Sequence, residues 1–139
     1  MSYLRLLKIH ERLNEEFLFH QEALLDRDLI TARQRLEVFE KDLRSHMQYE
    51  EEILLPIYCQ AGPVPGGDPQ LFTGEHEKML AFLSRIKTMM LGIDSGTKDR
   101  NRQVIRIFDE EARLKGLMEH HDLREANILY PTLDRLESV

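Results

Sequence analysis

Six residues scattered through the chain combine types and spacings suited to a bound metal ion. The stretch 36–57, LEVFEKDLRSHMQYEEEILLPI, places Leu36, Phe39, Leu43, Met47, Leu54 and Ile57 at helical intervals, the stripe of a helix that faces a core. His46 and Glu50 fall on the same stripe, four residues apart and therefore stacked on one helix face. A buried carboxylate with no partner costs on the order of several kcal/mol, so its burial implies a compensating cation. The same pair recurs as His121 and Glu125, set among Leu117, Met118 and Ile128. His10 sits between Leu6 and Leu13 in line with Phe17, and His76 heads the stripe of Met79, Leu80 and Leu83.

The elements that must position these residues are helices. Turn chemistry separates the chain into four segments, at about 3–25, from about 29 through Pro56, about 70–91, and about 101–136. Asp26-Arg27-Asp28 breaks the first from the second, and Pro56 is expected to kink or end the second. The stretch 62–69, GPVPGGDP, is a loop, and 92–99, with Gly96 as its breaker, is the last connection. Nothing reads as a strand, and no repeat or low-complexity tract stands out. Four amphipathic segments with mostly short connections imply an all-α protein, an antiparallel up-down-up-down four-helix bundle. At 139 residues, 1–139 is expected to form a single domain.

Height along the bundle brings the six together. His10 precedes the first turn by about 17 residues and His46 follows it by about 19, so at ~1.5 Å of rise per residue they are nearly level. Glu50 comes just before Pro56 and His76 just after the Gly/Pro loop. His121 lies about as far beyond the 92–99 connection as His76 lies before it. One such histidine on an apolar face is more often a satisfied core residue than a ligand. Six polar groups at one level with no charge balance run against the rules for cores, and a cation resolves the conflict.

The same arithmetic sets other candidates aside. His20 is ten residues from His10, ~15 Å along a straight helix, and reads as a core histidine bonded to a neighbour such as Glu111. His120 points off its stripe, toward solvent or a supporting place behind the ligands, and Glu51 and Glu52 point off theirs toward solvent. Tyr49 and Tyr130 are candidates for hydrogen bonds to the ligands, and Met47, Met79, Leu80 and Met118 for an apolar wall around them.

Composition narrows the class. The chain is 32% charged with a net charge of -6, which argues against a nucleic-acid binder. No apolar run approaches the roughly 20 residues needed to span a bilayer. The opening MSYLRLLKIHERLNEE turns charged too early for a secretory signal. A lone Cys59 forms no internal disulfide or cysteine zinc cage, so a cytoplasmic setting is expected, as monomer or homodimer. Six His direct a metal site toward imidazole and carboxylate ligands, which suit iron, manganese or zinc.

His10 with the Asp26–Asp28 turn, HMQYEEEILLP, EHEKML and HHDLREANILYP, in that order over about residues 4–133, resemble the hemerythrin-like (HHE cation-binding) domain family. The resemblance implies a bundle around non-haem iron, commonly two irons bridged by carboxylates and oxygen. Carried over, His10, His46, His76 and His121 would be terminal ligands, with Glu50 and Glu125 as bridges. Oxygen-carrying members have a second histidine where this chain has Leu80, and an Asp five residues after the last ligand histidine where Glu125 comes at four. The site is thus poorer in imidazole and leaves a position open on one metal. Members of this four-His, two-Glu type linked to nitric-oxide stress and iron–sulfur repair carry an extra amino-terminal Cys-containing region, which is not expected here. Three readings follow: a centre that binds O2, NO or a related small ligand for sensing, storage or iron handling; an oxidoreductase acting on O2, peroxide or NO; and a zinc-holding structural or interaction bundle. Whether the centre is an enzyme stays open at this stage.

Overall fold

The computed structural model describes residues 3–93 and 99–137; the expected breaker Gly96 lies outside the described residues. Helix α1, Tyr3–Leu25, ends where Arg27 takes a left-handed backbone (φ 61°). There the Asp28 N–H donates back to the Ala23 carbonyl and the Arg27 N–H to Leu24, closing the last turn. Asp28 then caps α2, Leu29–Tyr49, its carboxylate accepting from the Thr31 N–H at 3.2 Å.

The second rod does not stop at Pro56. It runs through a single π turn, Glu50–Leu54, into α3, Leu55–Tyr58, and a 3-10 turn, Cys59–Ala61. A proline has no N–H to give and its ring crowds the carbonyl four residues back. A wide turn placed just ahead of it relieves that crowding and lets the rod continue. The extra residue also shifts the stripe: Leu55 and Tyr58 are buried, while Ile57, expected inward, is 37% exposed.

Across the Gly/Pro loop, the Tyr58 hydroxyl donates to the Gly67 carbonyl. A Cβ on Gly67 would collide with that hydroxyl and with Ile128, so only glycine fits. Asp68 caps α4, Pro69–Leu91, with Pro69 in the first turn, where its missing N–H is harmless. Helix α5, Arg100–Arg124, passes through a second π turn, Glu125–Leu129, into α6, Tyr130–Glu137, and Pro131 again follows the wide turn.

Cross-contacts set the directions of the rods. Arg12 meets Asp42 and Arg35 meets Phe19, so α1 and α2 run antiparallel. Arg85 meets Glu110 and His76 meets His121, so α4 and α5 do too. Gln21 with Glu111, and Lys87 with Glu40, fix the other two neighbour pairs in the same sense. The molecule is an all-α, up-down-up-down four-helix bundle, and among the described residues no helix is long and apolar enough to cross a membrane.

Its apolar interior falls into two clusters. The larger includes Leu13, Phe17, Phe39, Met47, Met79 and Met118. The smaller, near the Gly/Pro loop, includes Leu6, Leu54, Tyr58, Phe72, Leu129 and Tyr130. On every rod the two are separated by the candidate ligands.

Within the long stretch of bundle away from that layer, His20 and Glu111 form a pair of fully buried side chains with Nε2 and Oε2 2.6 Å apart. The other ring nitrogen of His20 lies 2.7 Å from the Ala32 carbonyl, and Gln21 donates to the second Glu111 oxygen. Breaking such a pair strands a buried polar group, whereas replacing both partners removes the need for either. Glu111→Leu should therefore lower the urea unfolding free energy by about 3 kcal/mol or more, and His20→Leu/Glu111→Leu should recover most of that loss. A single variant costing under ~1 kcal/mol would show that the pair carries no such burden.

Candidate metal centre

The six side chains meet in one buried layer. Glu125 is 0% and Glu50 1% exposed, and His10, His46, His76 and His121 are all buried. Among the described residues, the ion-pair partners of both carboxylates are imidazoles, with no lysine or arginine at either.

The donor atoms form two overlapping groups. In each, the ligand-type atoms lie within 4.8 Å of one another: Glu50, His76, His121 and Glu125 in one, His10, His46 and Glu125 in the other. Glu125 belongs to both, with Oε1 3.0 Å from His10 Nε2 and 3.2 Å from His121 Nε2. Glu50 Oε1 likewise lies 2.8 Å from His46 Nε2 and 3.6 Å from His76 Nε2.

These short distances are not hydrogen bonds. Both oxygens of Glu50, both of Glu125 and His46 Nε2 are buried with no hydrogen-bond partner. Buried polar atoms in folded proteins are nearly always satisfied. Here they converge at contact distance on shared points instead, and the His76 and His121 Nε2 atoms face each other at 3.2 Å. Two imidazole lone pairs and two carboxylates aimed inward in this way fit a cation and little else.

Neighbouring groups orient the rings. His121 Nδ1 lies 3.0 Å from Glu75 Oε1. Donating there fixes the tautomer that leaves the Nε2 lone pair directed into the layer. Arg124 holds Glu75 from behind and reaches the Gly66 carbonyl, tying the ring's support to the loop. His10 Nδ1 has Asp122 at 3.6 Å and His76 Nδ1 has Glu51 at 3.5 Å. The Tyr130 hydroxyl lies 2.9 Å from His10 Nε2, within reach of the same layer.

Burial is the largest influence on His121 and pulls its imidazole down to about 4, against the opposing pull of Glu50. The ring is therefore neutral, as a ligand must be, at neutral pH. Burial works to raise the Glu50 carboxyl, but the close imidazoles of His46 and His76 outweigh it and hold the group at about 2. Burial pushes Asp122 up to about 6, with His10 pulling the other way.

All six expected ligands are thus brought together, and of the residues set aside Glu51 comes within 3.5 Å of His76 Nδ1. His20 belongs to the Glu111 pair. His120 is exposed, accepting from Arg124 and lying 3.6 Å from Glu75. Glu51 and Glu52 are exposed. The small cavity at the layer is walled by Leu13, Leu43, Met47, Met79 and Met118. Leu80, expected in that wall, is not part of it; it is half-buried at the margin of the larger cluster.

Two features escaped the stripe reading. Glu75 and Asp122 each sit beside a candidate ligand in sequence; Glu75 is itself buried on the stripe of α4, between Phe72 and Met79, and Asp122 lies partly exposed at the edge of the α5 stripe. Their carboxylates serve a ring on another helix, His121 for Glu75 and His10 for Asp122. The π turns begin on Glu50 and Glu125 themselves, the N–H groups of Leu55 and Tyr130 donating back five residues to those carbonyls. A signal for them was present: His46, Glu50, Pro56 and His121, Glu125, Pro131 share one spacing.

The family model of the hemerythrin HHE cation-binding domain matches residues 2–133. The chain belongs to that family. No curated protein and no solved structure matches it. In this HHE chain the buried His/Glu layer has the geometry to hold a cation, and together with the family match it points to a metal-binding bundle.

Asp122 supplies a test of the layer's electrostatics. A carboxyl held near 6 when folded and 3.8 when unfolded is penalised in the fold once ionised. It therefore removes stability from the metal-free protein as pH rises through that window. Asp122→Asn should raise the unfolding free energy of the metal-free protein by about 1–2 kcal/mol at pH 7 and change it little at pH 4. Urea unfolding at the two pH values measures this; a loss at pH 7 would mean that the Asp122 charge is well held by His10.

Proposed function

We propose that this HHE bundle holds two non-haem iron ions in the buried layer and uses them to bind a small ligand such as O2 or NO, in sensing, storage or iron and stress handling. The observation that carries this reading is the overlap of the two donor groups at Glu125, with Glu50 spanning the same pair of imidazole sets. A carboxylate lying between two groups of nitrogen donors suits a pair of ions better than one. His76 and His121 would serve one ion, His10 and His46 the other, and Glu50 and Glu125 both. Imidazole and carboxylate together suit iron, manganese and zinc, and the family favours iron.

When bound, iron would supply redox change and a coordination position for a diatomic molecule. The protein's own contribution is enclosure and charge. The two carboxylates offset the cations, Glu75 fixes the His121 tautomer, and the leucine and methionine walls leave a cavity of about 10 Å³. That is room for about one water-sized group, so bulk solvent stays out. With Glu50 reaching His46 as well, the group of His10, His46 and Glu125 has two imidazoles and two carboxylates, fewer donors than a six-coordinate iron takes, which supports an exchangeable position there. Turnover of O2, peroxide or NO would use the same position.

A second reading is favoured by the other group. Glu50, His76, His121 and Glu125 number four donors, the complement of a closed structural zinc site. Metal content and gas response separate the readings. Protein purified without added metal, then loaded with ferrous iron anaerobically, should hold two irons per chain and change its visible spectrum on exposure to O2 or NO. One zinc per chain and a spectrum indifferent to both gases would overturn the proposal in favour of zinc.

A further inference from the structure

The cavity at the layer measures only about 10 Å³, so a larger ligand must pass between its walls. Two surface grooves back onto it. One, of about 290 Å³, runs between α1 and α2 over Leu6, Ile9 and Leu13. It shares two walls with the inner cavity, Leu13 and His46. The other lies between α1 and α5 and shares only Met118.

Their rims differ in charge. Arg5 and Arg12 stand over the α1–α2 groove with Asp42 and Ser45. Arg12 is engaged by Glu16 and Asp42, whereas the exposed Arg5 has no carboxylate partner among the described residues. The α1–α5 groove is rimmed by Glu11, Glu15 and Glu119 against a single Lys115. In a chain of net charge -6, the first rim is the one that favours an approaching anion and the second repels it. The candidate ligands also differ in support. His10, His76 and His121 each have a carboxylate within 3.6 Å of Nδ1, while among the described residues the only ion-pair partner of His46 is Glu50, at its Nε2. The least braced imidazole is the one that walls the groove.

We propose that the α1–α2 groove is the entry port of the metal centre, that Leu13 and His46 are its inner gate, and that Arg5 selects small anions at its mouth. This rests on the metal reading above, and azide serves as the probe. Ser45 and Asn14 are exposed helix positions, one on each groove, so a tryptophan at either can fill its groove without entering the core. Azide binding to the iron-loaded, oxidised protein is followed by stopped-flow absorbance, with iron content and melting temperature measured in parallel.

Ser45→Trp should slow azide association about tenfold or more with the dissociation constant unchanged, because a blocked route slows entry and exit alike. Asn14→Trp should leave the rate at the wild-type value. Arg5→Glu should slow azide several-fold at low salt, with the difference shrinking as salt is added, and should leave NO association unchanged. Equal rates in Ser45→Trp and wild type, or slowing by Asn14→Trp instead, would overturn the port while leaving the metal reading intact. A chain that takes up no iron would remove the metal reading itself, and the port with it.

Discussion

The bundle is built around a charge problem: two carboxylates and four imidazoles occupy one layer with apolar packing above and below. Along α1 the order is Leu6, His10, Leu13; along α4 it is Phe72, His76, Met79. The second and fourth rods repeat the sandwich with Met47, Glu50, Leu54 and Met118, Glu125, Leu129. Moving an ion out of water into such a layer costs several kcal/mol on any estimate unless a partner charge is present. Among the described residues no lysine or arginine reaches the two carboxylates, and their four oxygens are left without hydrogen bonds. A multivalent cation closes that account in a way that imidazole alone does not.

The local backbone follows from the same demand. Each half of the chain carries its histidine, its glutamate and then a proline at the same intervals, and each glutamate opens a π turn. The wide turn absorbs the proline that would otherwise break the rod, and resets which face of the next turn is buried. The Gly/Pro loop is fastened across this end by Tyr58 and Arg124, and Arg124 also steadies Glu75 behind His121. Loop, π turn and ring orientation are thereby coupled in one set of contacts.

Much of this was legible in the sequence because ionisable residues on an apolar helical stripe are costly and therefore informative. His46 and Glu50 announced themselves in that way, and level arithmetic along straight helices was enough to gather His10, His76, His121 and Glu125 around them. Helix ends were legible where side-chain caps or glycine and proline mark them, as at Asp28 and Asp68. What failed was the assumption of an unbroken 3.6-residue period. One additional residue in a π turn moved Ile57 outward and Tyr58 inward. Asp122 was missed because it acts on a ring of another helix, which no period within its own helix records; Glu75, three residues after Phe72 and four before Met79, lay on the stripe of α4 and was legible there. Leu80 was placed in the cavity wall for its neighbourhood to Met79, yet adjacent residues on a helix diverge by about 100°.

Anomalous diffraction from crystals of the iron-loaded protein, recorded on both sides of the iron edge, tests the central claim most directly. Two iron peaks inside the layer are expected, one beside His76 and His121, the other beside His10 and His46, with Glu50 and Glu125 between them. Iron peaks confined to the surface, or a refined layer whose carboxylates and imidazoles turn away from any ion, would contradict the account.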